Sequence, residues 1–235
     1  MTAVREGGCG LPLVDWRHAG EPCLNTDSRQ GKLYLDLASS ATLYEALHRI
    51  DLDLAEQTKA AGCPWCGDPL DYGRWSRQPR GCDLPDALKI RHGLCCRREG
   101  CRRRTTPPST LFQGRRVYWS AVILVSVLVR QRRLEGRSAR ALRLRFGVTH
   151  RTLLRWIGWF ETAQARTRGW RTLRGLVPAS VSDRELPSSL LAALEGKHGA
   201  GSGALVACLR LLSGAAEACF ARGLSPPQKL PDLVR

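Results

Sequence analysis

The chain of 235 residues lacks any apolar run long enough to cross a bilayer. Its longest, Val117 to Val129, covers thirteen residues, whereas a spanning helix needs roughly 20. Arg115 and Arg116 precede this run and Arg130 follows it, so it reads as the buried helix of a soluble domain. No apolar core of signal-peptide length lies in the opening "MTAVREGGCGLPLVDW", which argues against export and predicts a cytoplasmic chain. In that reducing compartment the ten cysteines are not expected to form a disulfide framework. No internal repeat divides the sequence.

Acidic residues are scarce where basic ones are dense. Residues 97–174 hold twenty Lys/Arg and three Asp/Glu, a formal charge of +17, while the rest of the chain sums to −1 and the whole to +16. A GC-rich coding sequence would inflate arginine evenly along the chain. A basic block beside a neutral remainder instead reads as the electrostatic footprint of a polyanion-binding surface.

Composition divides the chain into five segments. Residues 1–38 mix Gly, Pro and polar residues without a sustained period and read as a poorly ordered leader. Residues 39–62 hold one amphipathic helix: Leu43, Leu47, Ile50 and Leu54 recur at helical spacing, Thr42 and Glu45 suggest a capping box, and Gly62 ends it. Residues 63–108 are short runs broken by Gly and Pro, with alternation at Leu88, Ile90 and Leu94, and predict small strands. Beyond the Pro107-Pro108 connector, residues 109–175 carry three helical patterns, at about 116–134, 138–146 and 150–165. Residues 176–235 turn Ala/Gly/Leu-rich, with one helix expected at 203–221.

Chemistry is densest among the cysteines. "CPWCG" at 63–67 sets two thiols three residues apart, the spacing that lets one turn offer both sulfurs to a single ion. "CCRREGC" at 95–101 supplies a second pair. Strand alternation places Cys96 on the side of Leu94 and Ile90 and turns Cys95 outward. The predicted ligands are Cys63, Cys66, Cys96 and Cys101, holding one structural Zn2+ that leaves no open coordination position. A few dozen residues with few apolar side chains need such a staple. Two other readings of these thiols are a dithiol redox pair, since "CPWC" has that spacing, and unliganded core cysteines. The redox pair would want βαβ flanks that the sequence does not offer. Cys82 and His92 lie between the two pairs, and His92 reads as an ordinary polar residue. Cys9, Cys23, Cys208 and Cys219 have no ligand spacing.

"SARALRLRFGVTHRTLLRWIGWF" at 138–160 reads as two short helices around Gly147, with Ser138 and Thr149 as caps. Leu142 and Phe146 point inward on the first, Leu153, Trp156, Ile157 and Phe160 on the second, and the run at 117–129 packs behind both. This predicts a helix-turn-helix whose second helix offers His150, Arg151, Leu154 and Arg155 to base edges. Arg137, Arg140, Arg143 and Arg145 on the first helix, and Arg102, Arg103 and Arg104 beside the cysteines, would meet phosphates. The plainer reading is a surface helix pair with solvated arginines.

The order of CPxCG, hairpin, second cysteine pair, "RRRTTPPS", "GRRVYW" and helix pair resembles the zinc-ribbon plus helix-turn-helix front end of bacterial insertion-sequence transposases and related transposon-associated proteins. The resemblance covers about residues 63–165. It implies recognition of duplex DNA and, in complete transposases, a following RNase H-like domain with catalytic Asp, Asp and Glu. After Arg174 only 61 residues remain, with acids Asp183, Glu185, Glu195, Glu217 and Asp232, too few for such a domain. The expectation is therefore a mainly α protein with a small β zinc ribbon followed by a three-helix helix-turn-helix domain. It would be nucleoid-associated and without catalytic activity, an accessory or truncated transposase that pairs with a second copy or with a transposase. The alternatives are an RNA-binding zinc ribbon, a nuclease with an unrecognised acidic site, or a dithiol oxidoreductase.

Overall fold

The computed structural model describes residues 26–214. Among these the chain is mainly helical, with eight α-helices and one small antiparallel sheet. In chain order the elements are α1 (Thr26–Leu37), α2 (Ala41–Ala60), β1 (Leu70–Ser76), β2 (Ile90–Cys96), β3 (Arg104–Thr105), α3 (Ser120–Gln131), α4 (Ala139–Phe146), α5 (His150–Thr162), α6 (Arg168–Leu173), α7 (Ser188–His198) and α8 (Ser202–Leu212).

Helix α2 buries Leu43, Leu47 and Leu54 as its period predicts, with Tyr44 and Asp51 beside them. Its cap differs from expectation. Ser40 is the N-cap and no side chain bonds the first turn, so the Thr42–Glu45 box does not form. The leader expected over 1–38 is also overturned from Thr26 onward. Residues there form α1, with Tyr34 and Ala38 fully buried. Gly31, Tyr34, Leu35 and Ala38 are buried at helical spacing, a period that the sequence reading passed over, and long-range contacts add to it. Glu195 of α7 accepts hydrogen bonds from Gln30 and Tyr34 of α1 while pairing with Arg132 at 2.9 Å.

The apolar run becomes α3, whose residues Ser120 through Val129 are all buried. It is shorter than the pattern suggested. Residues before it form bridges instead, Arg80 with Tyr118 and Phe112 with Trp119. Helices α3, α5, α7 and α8 share one large core with α1 and α2, to which Val127, Phe160, Leu191 and Leu205 contribute. The Ala/Gly/Leu-rich segment is thus part of this core as far as Gly214, and it forms two helices where one was expected at 203–221. The remainder of that expected helix lies outside the described residues. No helix among the described residues is long and apolar enough to cross a membrane.

The sheet has the order β1-β2-β3, with Leu70 opposite Cys96, Tyr72 opposite Leu94, and Leu94 opposite Thr105. Leu88 precedes β2 in a 3-10 turn rather than in the strand. Alternation alone puts Arg91 outward, yet β2 is covered on both faces and Arg91 is buried with His92. The cover on the Arg91 side is the Pro107-Pro108 connector, whose Pro107 carbonyl accepts from the guanidinium. Asp51 pins that connector to α2: its carboxylate accepts from the Ser109 hydroxyl and from the Thr110 amide and hydroxyl.

On the other face of β2, His92 meets His48 of α2 with ring centroids 5.8 Å apart. Neither ring nitrogen of His92 has a hydrogen-bond partner, nor does Nδ1 of His48. Burial lowers the pKa of both; His48, Arg74 and Arg91 lower His92 further, and Asp51 partly opposes the shift at His48. Below an unfolded value near 6.5, the unfolded chain therefore binds more protons than the folded one. Stability should fall as pH drops from about 7 towards 5.5, and His92→Phe should flatten that slope. Thermal melts at stepped pH, with metal content followed in parallel, check this; equal slopes in both proteins would refute it.

Candidate metal centre and nucleic-acid interface

The two predicted cysteine pairs converge. Cys63 and Cys66 lie in the turn between α2 and β1, Cys96 ends β2, and Cys101 lies in the turn before β3. Their four sulfurs are all within 4.8 Å of one another. The Cys63 and Cys101 sulfurs are 3.8 Å apart and those of Cys66 and Cys96 are 3.4 Å apart. A tetrahedral ion with bonds of about 2.3 Å separates its sulfur ligands by about 3.8 Å. These four cysteines are therefore close enough to hold one metal ion.

Local backbone explains how each pair closes. In the first turn the Gly67 amide donates to the Cys63 carbonyl at 2.8 Å, and Gly67 takes φ 77°, a conformation that glycine adopts without strain. In the second, the Cys101 and Arg102 amides both donate to the Arg98 carbonyl, and Arg102 takes φ 46° in the equivalent position after the cysteine. Burial acts to raise the Cys63 thiol, but the amides of Trp65 and Cys66 and the neighbouring thiols together pull it down, while the same thiol-to-thiol hydrogen bonds push Cys66 up and burial does so for Cys96. Backbone N–H groups aimed at a sulfur favour the thiolate, the form that binds metal.

Cys96 is fully buried in the cluster. Cys95 pairs across the sheet with Asp71 and Arg104, and its sulfur points to the Arg102 carbonyl at 3.6 Å. Cys82 donates to the Ala38 carbonyl at 3.1 Å and so belongs with the large core, as does the buried Cys208. Cys9, Cys23 and Cys219 lie outside the described residues. Around the four sulfurs the core is small: Leu70 and Leu94 are its buried apolar members, with Tyr72 packed against them.

The arginines expected to meet nucleic acid fall into two groups. Arg102, Arg103 and Arg104 are exposed beside the sulfur cluster, with Arg103 over the half-exposed Trp65 ring at 5.3 Å. The others stand on the α4–α5 pair. Ser138 caps α4 by accepting from the Ala141 amide, Gly147 ends it in the left-handed conformation with φ 65°, and Thr149 caps α5 by accepting from the Thr152 amide. Leu142, Phe146, Leu153, Trp156 and Phe160 face the core, and the Tyr118 hydroxyl holds the turn through the Gly147 carbonyl at 3.0 Å.

That packing leaves His150, Arg151, Leu154 and Arg155 exposed at the start of α5, and Arg137, Arg140 and Arg143 exposed on or before α4. The side chains of Arg140, Arg143, His150 and Arg151 make no ion pair or hydrogen bond among the described residues. Among the described residues Arg155 bonds only the Thr152 hydroxyl, at 3.3 Å. Arg145 departs from expectation, since it is tied to Asp36 of α1 at 2.6 Å and is not a free phosphate ligand. Leu144 and Leu154 are large apolar side chains left in solvent on this surface, 79% and 51% exposed.

Two of the acids considered for catalysis have structural partners. Glu195 pairs with Arg132, and Asp183 accepts from Arg174 at 3.1 Å and from the Trp170 indole at 3.0 Å. Glu217 and Asp232 lie outside the described residues. Sequence reasoning also missed a cleft of about 470 Å³ between the connector, α3, α5, α6 and α8, lined by Arg91, Arg116 and Trp159. Nothing in the periodicity signals it, because its walls come from stretches far apart in the chain.

Loading the four-sulfur site with Co2+ should give thiolate-to-metal absorption at one equivalent per chain. Cys96→Ser should abolish stoichiometric binding while Cys95→Ser retains it. Equal loss in the two variants would overturn the choice of ligand.

Comparison of the chain with protein-family models, with curated proteins and with solved structures found no match.

Proposed function

We propose that this chain is a zinc-stabilised DNA-binding protein of a transposon-associated kind. In this reading the four cysteines form a zinc ribbon, and α3, α4 and α5 form a helix-turn-helix that reads duplex DNA. The observation that carries it is the unpaired His150 and Arg151, with Arg155 one turn on, at the capped and exposed start of α5. A helix entering the major groove contacts bases from that end. Arginine there can bond guanine at two atoms, and the exposed Leu154 suits a thymine methyl.

Zinc is favoured because an all-thiolate, four-ligand set matches its structural sites. With four protein ligands the ion has no place for water or substrate, so its role is to hold the ribbon. Arg102, Arg103, Arg104, Arg140 and Arg143 would then contact phosphates, supplying affinity without sequence information. Exposed Trp65 and Trp75, 51% and 43% accessible on the ribbon, favour a second reading in which the ribbon stacks unpaired bases of RNA.

Selection from random duplexes, followed by footprinting, should return a defined site. If about six phosphates are neutralised, log affinity against log salt should have a slope near −5, from roughly 0.9 per contact. Arg151→Ala or Arg155→Ala should cost about 1–3 kcal/mol on the selected site and little on random DNA, whereas Arg103→Ala should weaken both alike. If Arg151→Ala and Arg103→Ala reduce specific and non-specific binding by one common factor, α5 does not read bases. Tighter binding to single-stranded RNA than to any duplex would favour the second reading.

A further inference from the structure

The cleft beside the connector has a chemistry that neither the sulfur cluster nor the α4–α5 surface uses. Its walls are largely apolar, with Phe112, Leu124, Phe160, Trp170, Leu209 and Leu212 among them. Arg116 lies at its edge with the guanidinium stacked on the Trp159 indole, 4.0 Å from the ring centroid. That guanidinium has no hydrogen bond or ion pair among the described residues. Arg91 lines the same cleft, and Arg77 reaches in behind, donating to the carbonyls of Gly114 at 2.8 Å and Arg116 at 2.9 Å.

Of these guanidiniums that of Arg91 feels the Asp51 carboxylate and donates to the Pro107 carbonyl, and that of Arg77 is held by two backbone carbonyls, so among the three Arg116 alone has no hydrogen-bond or ion-pair partner among the described residues. Asp51 is already committed to Ser109 and Thr110. Burial lowers the pKa of all three arginines, which registers a positive charge partly stripped of water and not fully compensated. A cavity of this size, apolar on its walls with a few polar groups converging on it, has the dimensions of a small-molecule site. Gln113 and Thr106 also line it, and their side chains have no hydrogen bond among the described residues.

We propose that this cleft binds a nucleoside phosphate, with the phosphate against Arg116 and the base between the stacked guanidinium and the apolar wall. A bare oxyanion would use the charge and leave the apolar wall wet. An uncharged apolar ligand would leave Arg116 unpaired. A nucleotide satisfies both, because a planar base stacks on guanidinium and indole faces while its phosphate accepts charge-assisted hydrogen bonds. The inference is independent of whether α5 reads DNA. A free nucleotide and the terminal unit of a nucleic-acid strand share this chemistry.

The test is titration of the full chain with deoxyadenosine monophosphate, read by the fluorescence of the cleft tryptophans Trp159 and Trp170. Inorganic phosphate and deoxyadenosine serve as controls. Saturable binding is expected for the nucleotide, with each control weaker by about tenfold or more, the value of one charge-assisted hydrogen bond. Arg116→Gln should weaken nucleotide binding by a similar factor while metal content and melting temperature stay unchanged. Gln113→Glu, which adds a negative charge to the wall without touching the core, should do the same. Arg151→Ala should leave nucleotide binding intact, which separates this site from the α5 surface. Displacement of the nucleotide by a 5′-phosphorylated tetranucleotide would identify a strand end as the occupant, and failure to displace would identify the free nucleotide. No saturable signal up to about 5 mM, an affinity weaker than about 3 kcal/mol, would overturn the proposal. So would unchanged binding in both the Arg116 and the Gln113 variants.

Discussion

The Asp51 carboxylate is 2% exposed in the middle of α2, and three groups of the connector donate to it. Taking a carboxylate out of water is costly unless hydrogen bonds replace the solvent. Burial accordingly pushes its pKa up, while the Ser109 and Thr110 bonds and the Arg91 charge pull the other way. The arrangement fixes three segments at once. Helix α2 is held to the connector, the connector covers Arg91 of β2, and Phe112 is delivered to stack on Trp119 at the start of α3. Together with the His48–His92 and Tyr72–Glu56 contacts, this group registers the sheet with its sulfur cluster against the large helical core.

The two parts so joined are stabilised by different means. The helical part buries a contiguous apolar core that includes almost the whole surface of α3. The sheet has little to bury beyond Leu70, Leu94 and the cysteines themselves. An ion held by the four cysteines would supply folding free energy that apolar burial does not. Exposed pairs such as Arg97 with Asp71 and Arg98 with Asp68 contribute little, since solvent screens them.

The excess of positive charge is likewise sorted by packing. Arg132 is absorbed by Glu195 and Arg145 by Asp36, so both serve to tie helices together. Arg116 rests on an aromatic face, which leaves its N–H donors unused. Among the described residues unpaired arginines remain on several faces, Arg115, Arg130 and Arg171 included, and both the α4–α5 surface and the turn after Cys101 hold a cluster of them. That residual distribution, rather than the total charge, is what supports a nucleic-acid partner in the proposed function.

Features set by a few neighbouring residues were legible in the sequence. Cysteine spacing and strand parity singled out Cys63, Cys66, Cys96 and Cys101, because a turn and a pleat fix where side chains point within a few bonds. Ser138, Gly147 and Thr149 marked the limits of α4 and α5 for the same reason: capping and left-handed backbone are local demands. The tertiary structure alone decided the rest. Helix α1 has a short apolar period in Tyr34, Leu35 and Ala38, but its place is fixed by Tyr34, Gln30 and Asp36 meeting residues more than a hundred positions away. Arg91 is buried against the parity of its strand because a distant proline segment covers it. Whether an arginine is a free cation, an ion-pair partner or the wall of a cleft depends on what long-range folding brings beside it, and charge counted along a chain holds no record of that.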